Sequence, residues 1–307
     1  DDIVFITQIT IKSSVGVLFA AIGEIFTERS GVLNLGVEGM MLAGALAGAA
    51  IGLAGGSPLT AISGGLLAGG LLAMVHSFFA ITLRANQTLS GLAIAILGIG
   101  LSSFLGRPII GEVGIRLRAV AIPYLQDIPV LGEIFFKQTV LVYLAYVLVP
   151  LSSYVLFNTR LGLKIRAVGE DAVSADAVGV NVTGIRYGCT LFGGMLAGLG
   201  GCYLSLAYTP GWKENMTAGQ GWIAIAMVIF SLWSPYRAVF GALLFGGLTA
   251  LQFFFQATGV ELIPVYILLM LPYLLTIGVL VLVMRLGKSG RDGRTPAALG
   301  VPFSREG

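Results

Sequence analysis

The chain has 307 residues, of which 56% are hydrophobic and only 11% charged; soluble domains carry about 25% charge, so a soluble globular enzyme is disfavoured. Glycine occurs 44 times, about twice its usual share of about 7%. With a mean hydropathy of +0.93, this points to an all-α, polytopic helical bundle in a lipid bilayer, and the net charge of +3 is what cytoplasmic Lys and Arg give such a protein, with no nucleic acid required.

A bilayer-crossing helix needs about 20 predominantly apolar residues, and the intervals between ionisable side chains supply them in order. The first runs from about Ile3 to Phe26, interrupted by Lys12 and Glu24. Asp1-Asp2 offers neither a basic leader nor a small-residue cleavage site, so this helix is expected to stay in the membrane rather than be removed as a signal peptide. Residues 39–83 carry no charge apart from His76, and Gly55-Gly56-Ser57-Pro58 divides them into two helices. The intervals 85–106, 138–159, 187–212, 215–236, 238–260 and 262–284 hold one span each. The expectation is about nine transmembrane helices, within about eight to ten, in a single domain over residues 1–284, followed by a basic, solvated tail over 285–307.

Lys and Arg set the orientation. Twelve of them, including Arg29, Arg84, Arg160, Lys164, Arg166, Arg186, Arg237 and those of the tail, fall on the side of the 160–186 loop; five, Arg107, Arg116, Arg118, Lys137 and Lys213, fall on the other. The positive-inside rule then places that loop and the tail in the cytoplasm and residues 108–137 outside. Gly44, Gly48, Gly52 and Gly56 recur every four residues, as do Gly65 with Gly69 and Gly194 with Gly198. Three helices thereby gain smooth faces on which neighbours approach closely.

Catalytic chemistry finds little to work with. His76 is the single histidine, and there is neither an acidic pair at metal-ligand spacing nor a Gly-x-Ser-x-Gly elbow. His76 reads as a packed or interfacial residue, and no metal site is expected. Cys189 and Cys202 are too few for a zinc site or a disulfide framework and read as small packing residues. Gly287-Lys288-Ser289 has Leu282 where a phosphate-binding loop needs its first glycine.

Within or beside the spans stand Lys12, Glu24, Glu38 and His76, and buried membrane charges are functional candidates because an unpartnered one is costly. From Glu24 to Met40 a cluster forms with Glu28, Arg29, Asn34 and the permissive Gly31 and Gly36, where one helix stops and another begins. A functional cluster and a polar turn with capping residues both fit it. An ion-coupled carrier acting alone, a structural membrane protein and a membrane enzyme are the rival readings.

The loop from Leu161 to Asn181 favours a short helix between Glu170 and Val178, with acids early, where the helix dipole accepts them, and Gly179 as its stop. Val173, Ala177 and Val180 are expected to form an apolar face that docks into a groove of a partner protein. Its acidic polar face suits a membrane surface poorly.

At Glu28-Arg29-Ser30-Gly31-Val32-Leu33-Asn34-Leu35-Gly36-Val37-Glu38-Gly39-Met40-Met41, at Arg166-Ala167-Val168-Gly169-Glu170 running to Asp176-Ala177-Val178-Gly179-Val180-Asn181, and at Gly219-Gln220-Gly221-Trp222-Ile223-Ala224-Ile225-Ala226, the chain resembles the permease subunits of bacterial ABC importers. The likeness covers nearly the whole chain. It is greatest to the nucleoside branch of the branched-chain amino acid and simple-sugar superfamily, which works with basic-membrane-lipoprotein receptors. The resemblance implies that this chain and a second, related permease form a path in the bacterial cytoplasmic (inner) membrane. An external substrate-binding protein would deliver a nucleoside or simple sugar, and ATP with Mg on a cytoplasmic ABC ATPase subunit would drive transport, with no cofactor on this chain.

The resemblance also makes the 160–186 loop the ATPase-coupling loop, with Gly169, Glu170, Asp171, Ala175, Asp176 and Gly179 as its contacts. Asp176-Ala177-Val178-Gly179 departs from the usual Glu-Ala-Ala pattern. Where ribose-type permeases carry Asp-Leu-Ser-Val-Gly, this chain has Val37-Glu38-Gly39-Met40-Met41, which favours a nucleoside over a pentose. A nucleoside needs hydrogen bonds for its ribose and base edges and an aromatic face for stacking, which selects Asn34, Glu38, Asn86, Gln87, Gln220 and Trp222 for the path, with Phe253-Phe254-Phe255 as a further aromatic source. Gly36-Val37-Glu38-Gly39 and Gly219-Gln220-Gly221-Trp222 echo each other ahead of apolar spans, as two distant repeats lining one cavity would.

Overall fold

Short polar signals set the helix starts in an otherwise apolar chain. The side chains of Ser57, Asn86, Thr159, Asp171 and Asn181 each accept a hydrogen bond from a backbone N–H two or three residues on, and Pro58 follows Ser57. The computed structural model describes residues 2–258, positions 267, 270, 271, 274, 277, 278 and 281, and residues 295–304. Its helices are α1 (Asp2–Arg29), α2 (Val37–Leu53), α3 (Pro58–Ser77), α4 (Gln87–Gly106), α5 (Leu131–Phe135), α6 (Val140–Asn158), α7 (Arg160–Glu170), α8 (Ala172–Ala177), α9 (Val182–Tyr203), α10 (Gln220–Phe230) and α11 (Pro235–Thr258). In the 108–137 region and just beyond it, β1 (Val120–Ala121) pairs antiparallel with β2 (Lys137–Gln138).

Among the described residues, six helices are long and apolar enough to cross a membrane: Ile3–Arg29, Pro58–Thr82, Gln87–Ile109, Val140–Asn158, Val182–Tyr208 and Pro235–Phe255. The intervals over 39–54 and 215–236 each hold a shorter apolar helix, α2 with 17 residues and α10 with 11. α10 is short because its interval begins in irregular backbone, with positive φ at Asn215, Ala218 and Gly219, and ends in a corner with positive φ at Leu232 and Trp233. The expected span over 262–284 lies mostly outside the described residues.

Helix α9 is the centre of the bundle: in its most apolar stretch 83% of the residues are buried, against 33–50% in the other five long helices. Glycine explains how the neighbours get so close. A Cβ added to Gly44 would stand 2.2 Å from the Gly198 carbonyl oxygen, and one on Gly69 would stand 2.2 Å from that of Gly194. The glycine faces of α2, α3 and α9 therefore meet, and Cys202 fills the space beside Gly48 and Gly65. Gly56 lies apart, in the α2–α3 connection, and Gly52 meets Ile115 of the 108–137 segment.

The described part of the tail contacts the rest of the protein. Residues 295–304 lie across the protein, with Ala298 N–H donating to the Gly169 carbonyl at 2.9 Å, Gly300 N–H to Gly31 at 3.1 Å, and Arg186 Nη1 to the Val301 carbonyl at 3.0 Å. Phe303 packs on the cluster formed by Val168, Ala172, Ala175 and Val182.

Candidate functional site

Two irregular segments, 30–36 and 209–219, interrupt the bundle, and every break in helical bonding leaves backbone N–H and C=O groups to satisfy. Side chains do this for the first segment. Leu33 N–H donates to Gln87 Oε1 at 2.8 Å, Asn34 N–H to Glu24 Oε1 at 3.2 Å, and Gly36 N–H to Asn34 Oδ1 at 2.9 Å. His76 Nε2 lies 3.2 Å from the Leu33 carbonyl and Nδ1 lies 3.0 Å from Ser90 Oγ. A carbonyl only accepts, so Nε2 carries the proton and Ser90 donates to Nδ1. His76 is thus packed, and the Glu24–Met40 cluster is a polar turn whose side chains hold a non-helical backbone inside the bundle.

The second segment is fastened to the first through one carboxylate. Thr217 Oγ1 donates to Glu38 Oε1 at 2.6 Å, Gly219 N–H to the same oxygen at 3.0 Å, and Gly221 N–H to Glu38 Oε2 at 2.6 Å. Gly219, at φ +83°, offers α10 no side-chain cap, so Glu38 on α2 supplies the negative group that the α10 N-terminus lacks. The two echoing sequences are bonded to each other here. At the opposite end of α10, Trp233 Nε1 donates to Glu28 Oε2 at 2.6 Å, and Arg29 reaches the Leu232 and Trp233 carbonyls.

These contacts redistribute the residues selected for the path. Asn34, Glu38 and Gln87 are buried and occupied with backbone. Asn86 is exposed at the start of α4, where its side chain accepts from Leu89 N–H at 3.0 Å. Gln220 Oε1 is buried without a hydrogen-bond partner among the described residues, and Trp222 is 37% exposed. Of the three consecutive phenylalanines, Phe253 lines a cavity.

That cavity, of about 790 Å³, lies between α1, the 114–119 segment and the end of α9. Lys12, Arg116, Arg118, Tyr203, Tyr208 and Phe253 face it, and two of its tyrosines are fixed: Tyr203 donates to the Lys12 carbonyl at 2.8 Å, and the Tyr208 hydroxyl lies 2.9 Å from Ser13 Oγ. The backbone turns into a π-helix at Leu204–Tyr208, and Leu117 N–H donates to the Leu206 carbonyl at 2.8 Å, which ties the 108–137 segment over the cavity. Of this group only Lys12 and Phe253 stand out in the sequence. Arg116 and Arg118 enter the sequence reading only as outer-side cations, and Tyr203 and Tyr208 carry no signal until the fold brings them to Lys12.

The 160–186 loop forms two helices where one was expected. Asp171 starts α8: its Oδ1 accepts from Val173 and Ser174 N–H, and its other oxygen from Ser174 Oγ, which together hold the carboxyl below its ordinary pKa, the Ser174 contribution being the largest. Glu170 ends α7 instead of starting the short helix. The buried face consists of Ala172 and Ala175, while Val173 and Val178 are 68% and 80% exposed and Ala177 is exposed too, because α8 turns its smallest residues to Val168 and Phe303. Gly169 and Ala175 are therefore inward packing residues, with a Cβ on Gly169 only 2.1 Å from the Arg29 carbonyl. Glu170, Asp171 and Gly179 face outward, and Asp176 is half-buried at a groove shared with Arg84, Asn181 and Phe303. Removing residues 295–307 is expected to raise amide hydrogen exchange over 168–182 while leaving α9 protected; unchanged exchange would show that the tail does not hold the loop.

The sequence compares closely with known proteins. The family profile described as the branched-chain amino acid transport system permease component matches residues 5–284. A Haloferax volcanii protein provisionally named glucose ABC transporter permease protein TsgC13 is 42% identical, over 83% of this chain and 79% of its own length. The nucleoside ABC transporter permease protein NupC of Lactococcus lactis is 37% identical over 90% of each chain. The guanosine ABC transporter permease protein NupQ of Bacillus subtilis is 35% identical over 97% of this chain and 96% of its own.

Proposed function

This chain belongs to the branched-chain amino acid transport permease family and is a multi-pass permease subunit of an ABC importer, and from that premise we propose that the solute it passes is a nucleoside. The observation that carries this reading is the likeness to a guanosine permease over 97% of the chain. The cavity supports it chemically, because tyrosine and phenylalanine rings with cationic N–H donors suit a planar base and ribose oxygens. A simple sugar is the second reading, favoured by the 42% identity to the Haloferax chain.

In this reading the chain is a transport component and not an enzyme. ATP and Mg act on a separate cytoplasmic ATPase, a second permease completes the path, and an external binding protein delivers the solute at the bacterial cytoplasmic membrane. Nine spans then consist of the six long helices, α2, α10 and one over 262–284, with the 108–137 segment outside. The exposed Val173 and Val178 with Glu170, Asp171, Asp176 and Gly179 form the face offered to the ATPase.

Tagged protein purified gently from its membrane is expected to bring an ATPase and a second permease at near-equal stoichiometry. Reconstituted with the binding protein, the assembly should take up labelled guanosine or uridine, and excess glucose should not compete. Uptake of glucose alone would overturn the nucleoside assignment in favour of the sugar. Replacing Gly179 with Leu or Asp176 with Phe adds bulk near the outward end of α8; a Cβ on Gly179 would meet nothing within 4 Å, while its φ of +84° adds backbone strain to the Leu variant that the Asp176 variant does not carry. These variants should assemble and hydrolyse ATP while uptake falls about tenfold, the scale of a typical coupling free energy. Unchanged uptake would remove this face from the coupling mechanism.

A further inference from the structure

Of the ionisable groups in or beside the spans, the sequence singles out Lys12, Glu24, Glu38 and His76, and the structure accounts for three of these four. Glu24, Glu38 and His76 each bind backbone of an irregular segment. Lys12 does not. Its ammonium takes part in no ion pair or hydrogen bond among the described residues, although its own carbonyl accepts from Tyr203. It sits nine residues into the Ile3–Arg29 span and faces the cavity that Arg116, Arg118, Tyr203, Tyr208 and Phe253 also line. An intramembrane charge is expensive and persists where it lines a wet path or meets a ligand.

The lining has a chemical direction. Among the described residues it contains three cations and no carboxylate. It therefore repels cationic solutes and offers N–H donors to oxygen acceptors, while ring faces lie within the same space. Both polar tyrosine hydroxyls are already engaged, one with Ser13 and one with the Lys12 backbone. Lys12 is thus the span residue left to donate.

We propose that Lys12 is a substrate-contacting residue of the translocation path, its ammonium donating to hydroxyl or ring-carbonyl oxygens of an uncharged, acceptor-rich solute whose ring lies against Tyr208 and Phe253. This rests on the permease reading above and adds the residue that selects the solute. Arg116 and Arg118 extend the same field to the rim, so the cavity admits sugars and nucleosides and turns away polyamines and cationic amino acids.

The test uses the complete transporter in proteoliposomes with its binding protein. Lys12→Met keeps the length and apolar packing of the side chain and removes its donors. It should lower solute moved per ATP about tenfold, as expected for loss of a charge-assisted hydrogen bond, while the ATPase activity stimulated by the binding protein stays near wild type. Lys12→Arg should recover most of the loss. In Lys12→Cys, a membrane-impermeant maleimide should label the new thiol, and saturating solute should slow that labelling; the native Cys189 and Cys202 are buried. An unchanged transport ratio in Lys12→Met, or labelling indifferent to solute, would overturn the assignment. If wild-type vesicles move glucose and no nucleoside, the nucleoside reading fails alone, and the same variants then test Lys12 with glucose.

Discussion

Replacing Glu38 with Ala is expected to lower the thermal unfolding midpoint of the detergent-solubilised protein sharply and to abolish uptake. The Glu38 side chain is 2% exposed and accepts from Thr217 Oγ1 and from the N–H groups of Gly219 and Gly221. Truncation leaves three donors without this acceptor, Thr217 Oγ1 and Gly221 N–H buried and Gly219 N–H part-buried, two of them at the start of α10, where the helix dipole already favours negative charge. Each hydrogen bond to a charged group contributes about 1.5–3 kcal/mol, so the combined loss is about 4 kcal/mol or more. Glu38→Gln keeps the shape and one good acceptor but turns an amide N–H₂ toward a donor, and should fall between Ala and wild type. A wild-type midpoint in Glu38→Ala would show that α10 is held without this carboxylate. Neutral Ala at an exposed acidic site such as Glu170 is the control, expected to change the midpoint little.

A single methyl group at the glycine junction should be as damaging. A Cβ on Gly201 would stand 1.7 Å from the Met41 carbonyl oxygen, and one on Gly44 would stand 2.2 Å from that of Gly198. Overpacking usually costs about 1–3 kcal/mol where side chains can yield. Here the obstacle is backbone, and α2 or α9 must move as a body. Gly201→Ala and Gly44→Ala are expected to lose the monodisperse peak on size-exclusion chromatography. Gly100→Ala, whose Cβ would meet nothing within 4 Å, should retain it and gain slightly, since Ala favours a helix over Gly by about 1 kcal/mol. Equal behaviour of the three variants would mean that close glycine packing does not hold this bundle together.

The same residues show how far one-dimensional reasoning reaches. Hydrophobic runs and polar caps place the helices because span length and capping are local properties, and the four-residue glycine spacing identifies the packed faces because a helix repeats on that scale. The Glu24–Met40 and 160–186 segments stand out because charges inside apolar sequence are costly and therefore purposeful.

Which purpose each charge serves is not local. Glu38 and Asn34 have the composition of a polar ligand site, yet they satisfy backbone that their own irregular turn and a segment about 180 residues away leave open. Lys12 stands out in the sequence as a charge inside a span, but what surrounds it is known only when Tyr203, Tyr208 and Arg116 arrive beside it from two other parts of the chain. The face of α8 likewise depends on what packs beneath it: periodicity selects Val173, Ala177 and Val180, of which Val180 alone packs on the cluster where Val168 and the returning Phe303 bury Ala172 and Ala175. By itself the sequence determined a membrane bundle, most of its long apolar helices, its close-packed glycine faces and its kinship. The tertiary structure decided which polar groups are spent on the protein's own backbone, because hydrogen bonds are satisfied by whatever the fold brings within about 3 Å, at any distance along the chain.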